Sequence, residues 1–132
     1  MELQVGVKVL LQNSEGKYLL VRRASEKYPE VGAKWDIVGG RIEPSVPLLE
    51  NLKREIKEEV GLALIDEPRL ISAQDILKYD KHVVRLTYIA RIDGEPILSE
   101  EHTEYKWVTR SEMFELEPMD SYFKELLTGG RV

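Results

Sequence analysis

The chain contains no cysteine. That excludes disulfides, thiolate zinc sites and cysteine nucleophiles, and it fits a reducing, cytoplasmic compartment. It also lacks any apolar run near the roughly eighteen residues of a membrane span. No basic segment followed by an apolar core stands at its N-terminus, so no secretory signal is expected. Basic charge is in deficit: 19 Lys and Arg against 24 Asp and Glu leave a net charge of −5. Bulk nucleic-acid binding relies on basic surfaces and is not expected. A phosphorylated small molecule stays open as a ligand, because a metal ion can supply positive charge locally. The two histidines, His82 and His102, share no helix and no metal-ligand spacing. Each is expected at a loop or strand end.

What is present describes one domain over residues 1–132, long enough to bury a core without staples. Val5 to Leu11 and Lys17 to Arg22 read as two strands of a hairpin around the turn Asn13-Ser14-Glu15-Gly16. Residues 24 to 34 are polar and form a loop. Trp35 to Val38 is a short strand entering a Gly39-Gly40 turn. Arg69 to Lys78 and His82 to Ile92 are strands around a turn at Tyr79-Asp80-Lys81, and Tyr105 to Val108 is another. Ser111 caps a short helix through Phe114. Asp120 to Leu127 forms a last helix with Phe123, Leu126 and Leu127 inward. Interleaved strands and helices, with the strands in hairpins, make this an α+β domain.

The informative segment is residues 39–62. At about 100° per residue, Leu48, Leu49, Leu52, Ile56 and Val60 form one apolar stripe, which predicts a helix over 47–60. Pro47 suits its first turn and Gly61 its end. Glu55, Glu58 and Glu59 fall within roughly 100° of one another along one border of the stripe. Surface charge is the ordinary explanation for such residues. Two features oppose it here. Glu58 and Glu59 sit near the helix C-terminus, where the macrodipole disfavours negative charge. Glu55 and Glu59 are four apart, where like charges repel. A bound cation removes both penalties, and carboxylates are the hard oxygen ligands that Mg²⁺ prefers; Mn²⁺ accepts them too.

The same segment resembles the Nudix box, a pattern of Gly, five residues, Glu, seven residues, then Arg-Glu-apolar-X-Glu-Glu-X-Gly-apolar. Gly40 takes the opening position, and Arg54, Glu55, Ile56, Glu58, Glu59, Gly61 and Leu62 fill the closing ones. The first glutamate of the pattern is replaced by Val46. The resemblance implies an α/β/α sandwich with a mixed sheet. It also implies Mg²⁺-dependent hydrolysis of a pyrophosphate bond in a nucleoside diphosphate linked to another moiety, or in a nucleoside triphosphate. It further implies that Glu55 and Glu59 are the nearest metal ligands, that Glu58 follows, and that the carbonyl of Gly40 or Gly39 adds an oxygen. Family members differ in their general base; Glu55 is the first choice within the box.

A glutamate beyond the box often completes such a site, and Glu104 is favoured over Glu101 and Glu100. Arg54 suits orienting a carboxylate. With Val46 at the usual partner position, Glu50, four residues earlier, is the expected substitute. Arg22, Arg23 and Lys34 are candidates for substrate phosphates. Trp35, Tyr79 and Tyr88 are candidates for stacking on a base, although aromatics on strands are more often core. Dimers are common among the proteins resembled, so a homodimer is admitted. The competing reading is a catalytically weak or inactive domain of this fold that binds nucleotides or proteins.

Overall fold

In a computed structural model, residues 1–24 and 33–132 are described. Most of the expected 24–34 loop lies outside the described residues. The elements are β1 (Glu2–Gln12), β2 (Tyr18–Arg23), β3 (Trp35–Asp36), β4 (Val38–Arg41), α1 (Leu48–Val60), β5 (Arg69–Lys78), β6 (Lys81–Arg91), β7 (His102–Val108), α2 (Arg110–Met113) and α3 (Ser121–Thr128). Seven strands form one sheet in the order β3-β2-β1-β6-β5, with β4 also pairing β1 and β7 pairing β2. The β1–β6 pair is parallel and the others are antiparallel, so the sheet is mixed, as expected.

Alternation along the central strands sends side chains to two separate cores. Val7, Val9 and Leu11 of β1 join Leu19 and Val21 of β2 beneath Leu52, Ile56 and Val60 of α1. Leu10 and Leu20 point the other way, with Trp35 and Ile37, against Phe123, Leu126 and Leu127 of α3. Helices therefore cover both faces of the sheet. Burying one such side chain stabilises by about 1.5–3 kcal/mol, so both layers are needed to hold the sheet between them.

The expected β1–β2 hairpin is short: Gln12 pairs with Tyr18 and the strands then part. β4 fills the place beside β1, pairing Val9↔Val38 through Gly6↔Arg41. The single strand expected over Trp35 to Val38 is accordingly two. Trp35 and Asp36 pair with β2, and the chain crosses at Ile37 to β1. β7 starts at His102 rather than Tyr105, because its pairing with β2 continues through a bulge to Arg23.

The box helix ends as its sequence predicts. Gly61 takes a left-handed φ of 67° and donates its N–H to the Lys57 carbonyl at 3.0 Å. Pro47 sits one place earlier than expected, as the N-cap of α1. Thr109, not Ser111, caps α2, with Glu112 closing a capping box. Asp120 caps α3 by accepting from Phe123 N at 3.0 Å.

Candidate active site

β4 and α1 meet at the mouth of a cleft of about 760 Å³. Gly39 and Gly40 make that meeting possible. A Cβ on Gly39 would lie 2.1 Å from the Val7 carbonyl oxygen, at a φ of 155° that side chains avoid. A Cβ on Gly40 would lie 2.8 Å from the Glu55 carboxylate. Glycine at both places lets the helix carboxylates come down onto the backbone of β4.

The three box glutamates then separate in role. The Glu59 side chain is only 6% exposed, and its Oε2 accepts from Gly39 N at 3.1 Å. Burial pushes its carboxyl up to about 9, and the contacting Glu55 carboxylate adds to the rise, against the opposing pull of Lys8 and the Gly39 N–H. Glu55 is partly buried and accepts from Arg54 Nη2 at 3.0 Å. Glu58 is 62% exposed at the rim, 3.9 Å from Arg54 Nε. Among the described residues no three carboxylate or imidazole groups converge tightly enough to hold an ion as they stand. The narrow arc expected from the helix alone is opened by Arg54 on one side and by the burial of Glu59 on the other. The Glu55–Glu59 pair nevertheless fits a hard cation by its chemistry: two carboxylates in contact beside a glycine backbone, facing a cleft.

The expected Glu50 partner of Arg54 is corrected. Glu50 is exposed, while Arg54 Nη1 pairs with Glu43 at 2.5 Å. Glu43 lies three residues before Val46, on the turn leaving β4, and bonds from Asn51 hold that turn. Asn51 Oδ1 accepts from Glu43 N at 3.0 Å, and its Nδ2 donates to the Val46 carbonyl at 2.8 Å. The orienting ion pair that Val46 put in question is therefore made by Glu43.

The far wall comes from the segment before β7. Ser99, Glu100, Glu101 and His102 line the cleft, and Ser99 N donates to the Glu59 carbonyl at 3.1 Å. Glu104, the favoured outer glutamate, does not line it. It pairs with Arg22 at 2.8 Å on the exposed surface between β2 and β7. His102 is buried with its Nε2 3.6 Å from Glu59 Oε1, and its Nδ1 has no partner. Burial, with Lys8, pushes it down to about 4, so it is neutral at pH 7.

Of the three phosphate candidates, Arg23 lines the cleft, whereas Arg22 and Lys34 are not among its described lining residues. Arg22 is spent on Glu104 and on the Ala33 carbonyl at 2.9 Å. Tyr88 is buried in the α1-side core, and Trp35 in the α3-side core under Arg22 and Lys106. Tyr79 stands fully exposed at the β5–β6 turn. None of the three aromatics is among the described cleft residues.

Sequence reasoning missed the floor of the cleft. The Lys8 side chain is 10% exposed and its ammonium bonds Asp36 Oδ2 at 3.0 Å and the Ile37 carbonyl at 3.1 Å. Arg23 reaches the same Asp36 oxygen at 2.9 Å. Burial of Asp36 opposes its charge, but Lys8, Arg85 and Arg23 outweigh burial and hold its carboxyl below the usual range. Arg41 and Arg85 complete this basic floor. The available signal was a lone charge inside an otherwise apolar strand: Lys8 in β1, Asp36 beside Trp35 and Ile37, Arg85 in β6.

The chain is similar to known proteins over most of its length. A family model described as the NUDIX domain matches residues 2–128. The nucleoside triphosphatase NudI of Escherichia coli (strain K12) is 32% identical over 110 residues, spanning 75% of this chain and 77% of that protein. NudI of Klebsiella pneumoniae (strain 342) is 30% identical over 115 residues, 79% and 80% of the two chains. Among solved structures, a MutT protein from Methanosarcina mazei Go1 superposes with a TM-score of 0.83 at 27% identity, covering 96% of this chain and 91% of its own. A box helix with its glutamates set against the β4 glycines, carried on this mixed sheet, thus coincides with a domain match over nearly the whole sequence: the chain belongs to the Nudix family and is a pyrophosphohydrolase.

Proposed function

We propose that this chain hydrolyses a pyrophosphate bond in a nucleoside triphosphate, with a nucleoside diphosphate linked to another group as the second substrate class. The observation that carries the proposal is the Glu55–Glu59 carboxylate pair, set against Gly39 and Gly40 at the mouth of the cleft. The relatives named nucleoside triphosphatases support the choice of triphosphate.

Glu59 and Glu55 would hold a divalent cation, Mg²⁺ or in its place Mn²⁺, with Glu58 at the rim and a carbonyl of Gly40 or Gly39 as a further donor. When bound, such an ion neutralises phosphate charge and favours ionisation of water. Arg54, tied to Glu43 and Glu55, keeps the Glu55 carboxylate turned to the cleft. In the reaction a water oxygen bonds to phosphorus and the bridging P–O bond breaks. The leaving phosphate oxygen takes the electron pair, and a carboxylate accepts the proton of the water. Glu55 is the first choice for that base, with Glu100 and Glu101 on the opposite wall as the other carboxylates in place.

No described helix is long and apolar enough to cross a membrane. A nucleotide substrate and a cysteine-free chain suit a cytoplasmic setting. A homodimer is part of the same reading, and sedimentation would test it.

The deciding experiment is release of phosphate and pyrophosphate from nucleotides, sugar nucleotides and dinucleoside polyphosphates, with and without Mg²⁺. Cation-dependent release from triphosphates is expected. No release from any of them, with Mg²⁺ or Mn²⁺, would sink the reading in favour of a binding domain.

A further inference from the structure

The cleft floor carries a second constellation that bond cleavage does not use. Gly6 of β1 pairs with Arg41 of β4 on one side and with Arg85 of β6 on the other. Residues opposite one another in a sheet project to the same face. Two guanidiniums therefore rise on one side of the sheet with no side chain between them. Arg41 Nη1 lies 3.5 Å from where a Cβ on Gly6 would be, and both arginines line the cleft.

The two arginines are held in place but not equally neutralised. Arg85 Nη1 donates to Asp120 Oδ2 at 2.8 Å, and its guanidinium lies 5.1 Å from the centre of the Tyr122 ring. Asp120 is itself fixed as the cap of α3. Arg41 donates from Nε to Gln4 Oε1 at 2.8 Å, a neutral acceptor, and among the described residues no carboxylate pairs with it. Arg41 also directly follows Gly40, whose Cα faces Glu55, so the pair begins one residue from the carboxylate wall.

We propose that Arg41 and Arg85 form an anion subsite that holds the outermost phosphate of the substrate, so that the chain distinguishes a triphosphate from a diphosphate. Planar guanidinium forks match phosphate oxygens, and the glycine between them leaves room for the group to approach. This subsite rests on the nucleotide reading above and deepens it: the glutamates take the bond to be cut, and the arginines take the charge beyond it.

Two variants separate charge from space. Arg41→Gln removes one fork from an exposed position. Gly6→Val keeps both charges and fills the gap; a Cβ there meets its neighbours at 3.5–3.9 Å, ordinary contact. The first probe is inorganic tripolyphosphate, titrated calorimetrically into the metal-free protein, with circular dichroism confirming each fold. The wild type is expected to bind, and each variant to bind about tenfold more weakly or worse. In turnover, the ratio of kcat/KM for a nucleoside triphosphate over its diphosphate should fall about tenfold in Arg41→Gln. Absence of tripolyphosphate binding by the wild type, or equal binding by all three proteins, would overturn the subsite. Intact, variant-sensitive binding alongside no nucleotide hydrolysis would instead overturn the hydrolytic reading and leave the anion seat standing.

Discussion

The acidic wall and the basic floor of the cleft are built in opposite ways. The acidic wall comes mostly from one helix: Glu55, Glu58 and Glu59 stand within five consecutive residues, joined across the turn by Glu43. The basic floor comes from four strands: Lys8 from β1, Arg23 from β2, Arg41 from β4 and Arg85 from β6. A helix fixes the spacing of its side chains locally, whatever surrounds it. A floor drawn from four strands exists only once the sheet has its register. The glutamate wall is thus a property of a segment, and the arginine floor a property of the fold.

Breaking each wall should have different consequences. The largest effect on turnover is expected from Glu59→Gln. It removes the carboxyl that would ionise onto a bound cation but keeps the packing, so hydrolysis should fall about a hundredfold or more while the unfolding transition persists. A variant with near wild-type turnover in a steady-state assay would remove Glu59 from the site.

On the floor the corresponding change strikes stability. Asp36→Asn leaves Lys8 and Arg23 without their buried carboxylate and should destabilise by about 3–5 kcal/mol in urea unfolding at pH 7. The pH dependence has a definite sign. Asp36 has a folded pKa below its ordinary 3.8, so its contribution is present above that value and is lost as pH falls through the folded one. The gap between wild type and Asp36→Asn should therefore narrow in acid. A gap constant from pH 7 to pH 3 would contradict the pairing.

Glu43→Gln should weaken metal affinity and turnover about tenfold by releasing Arg54, whereas Glu50→Gln should change neither. Equal effects of the two would return the orienting role to Glu50. The smallest effect belongs to Glu104→Gln. Its pair with Arg22 is exposed, worth about 0–1 kcal/mol, and outside the described cleft lining. Turnover there should stay within twofold, and a large loss would place Glu104 in the chemistry after all.

This contrast also explains which parts of the molecule were legible in the sequence. The box helix, its stop at Gly61 and the inward residues of α3 follow from local periodicity and caps. Glu59 and Glu55 could be named because their spacing is intrinsic to the helix. Glu43 was passed over because its partnership with Arg54 depends on how the turn after β4 folds under Asn51. Glu104 was preferred over Glu100 and Glu101 because the reach of β7 was underestimated: with the strand running back to His102, Glu104 faces Arg22 and the two earlier glutamates reach the cleft. Lys8 and Arg85 were unreadable as partners of one site, since they stand 77 positions apart on two strands that only the parallel pairing makes adjacent.

That parallel pairing also governs the order of assembly. β1 pairs with β6 from Glu2↔Lys81 to Gln12↔Arg91, every contact closing a loop of 79 residues. During synthesis β1 emerges well before β6, its longest neighbour. Until then, β1 offers Val7, Val9, Leu10 and Leu11 to any apolar surface available. Loop closure on that scale must precede the reward of the contacts it brings, so formation of this pair should limit the folding rate. Refolding should be slowed most by shortening the side chains of Val7 or Val9 on β1, while a change on β5 in the local β5–β6 hairpin should act mainly on unfolding.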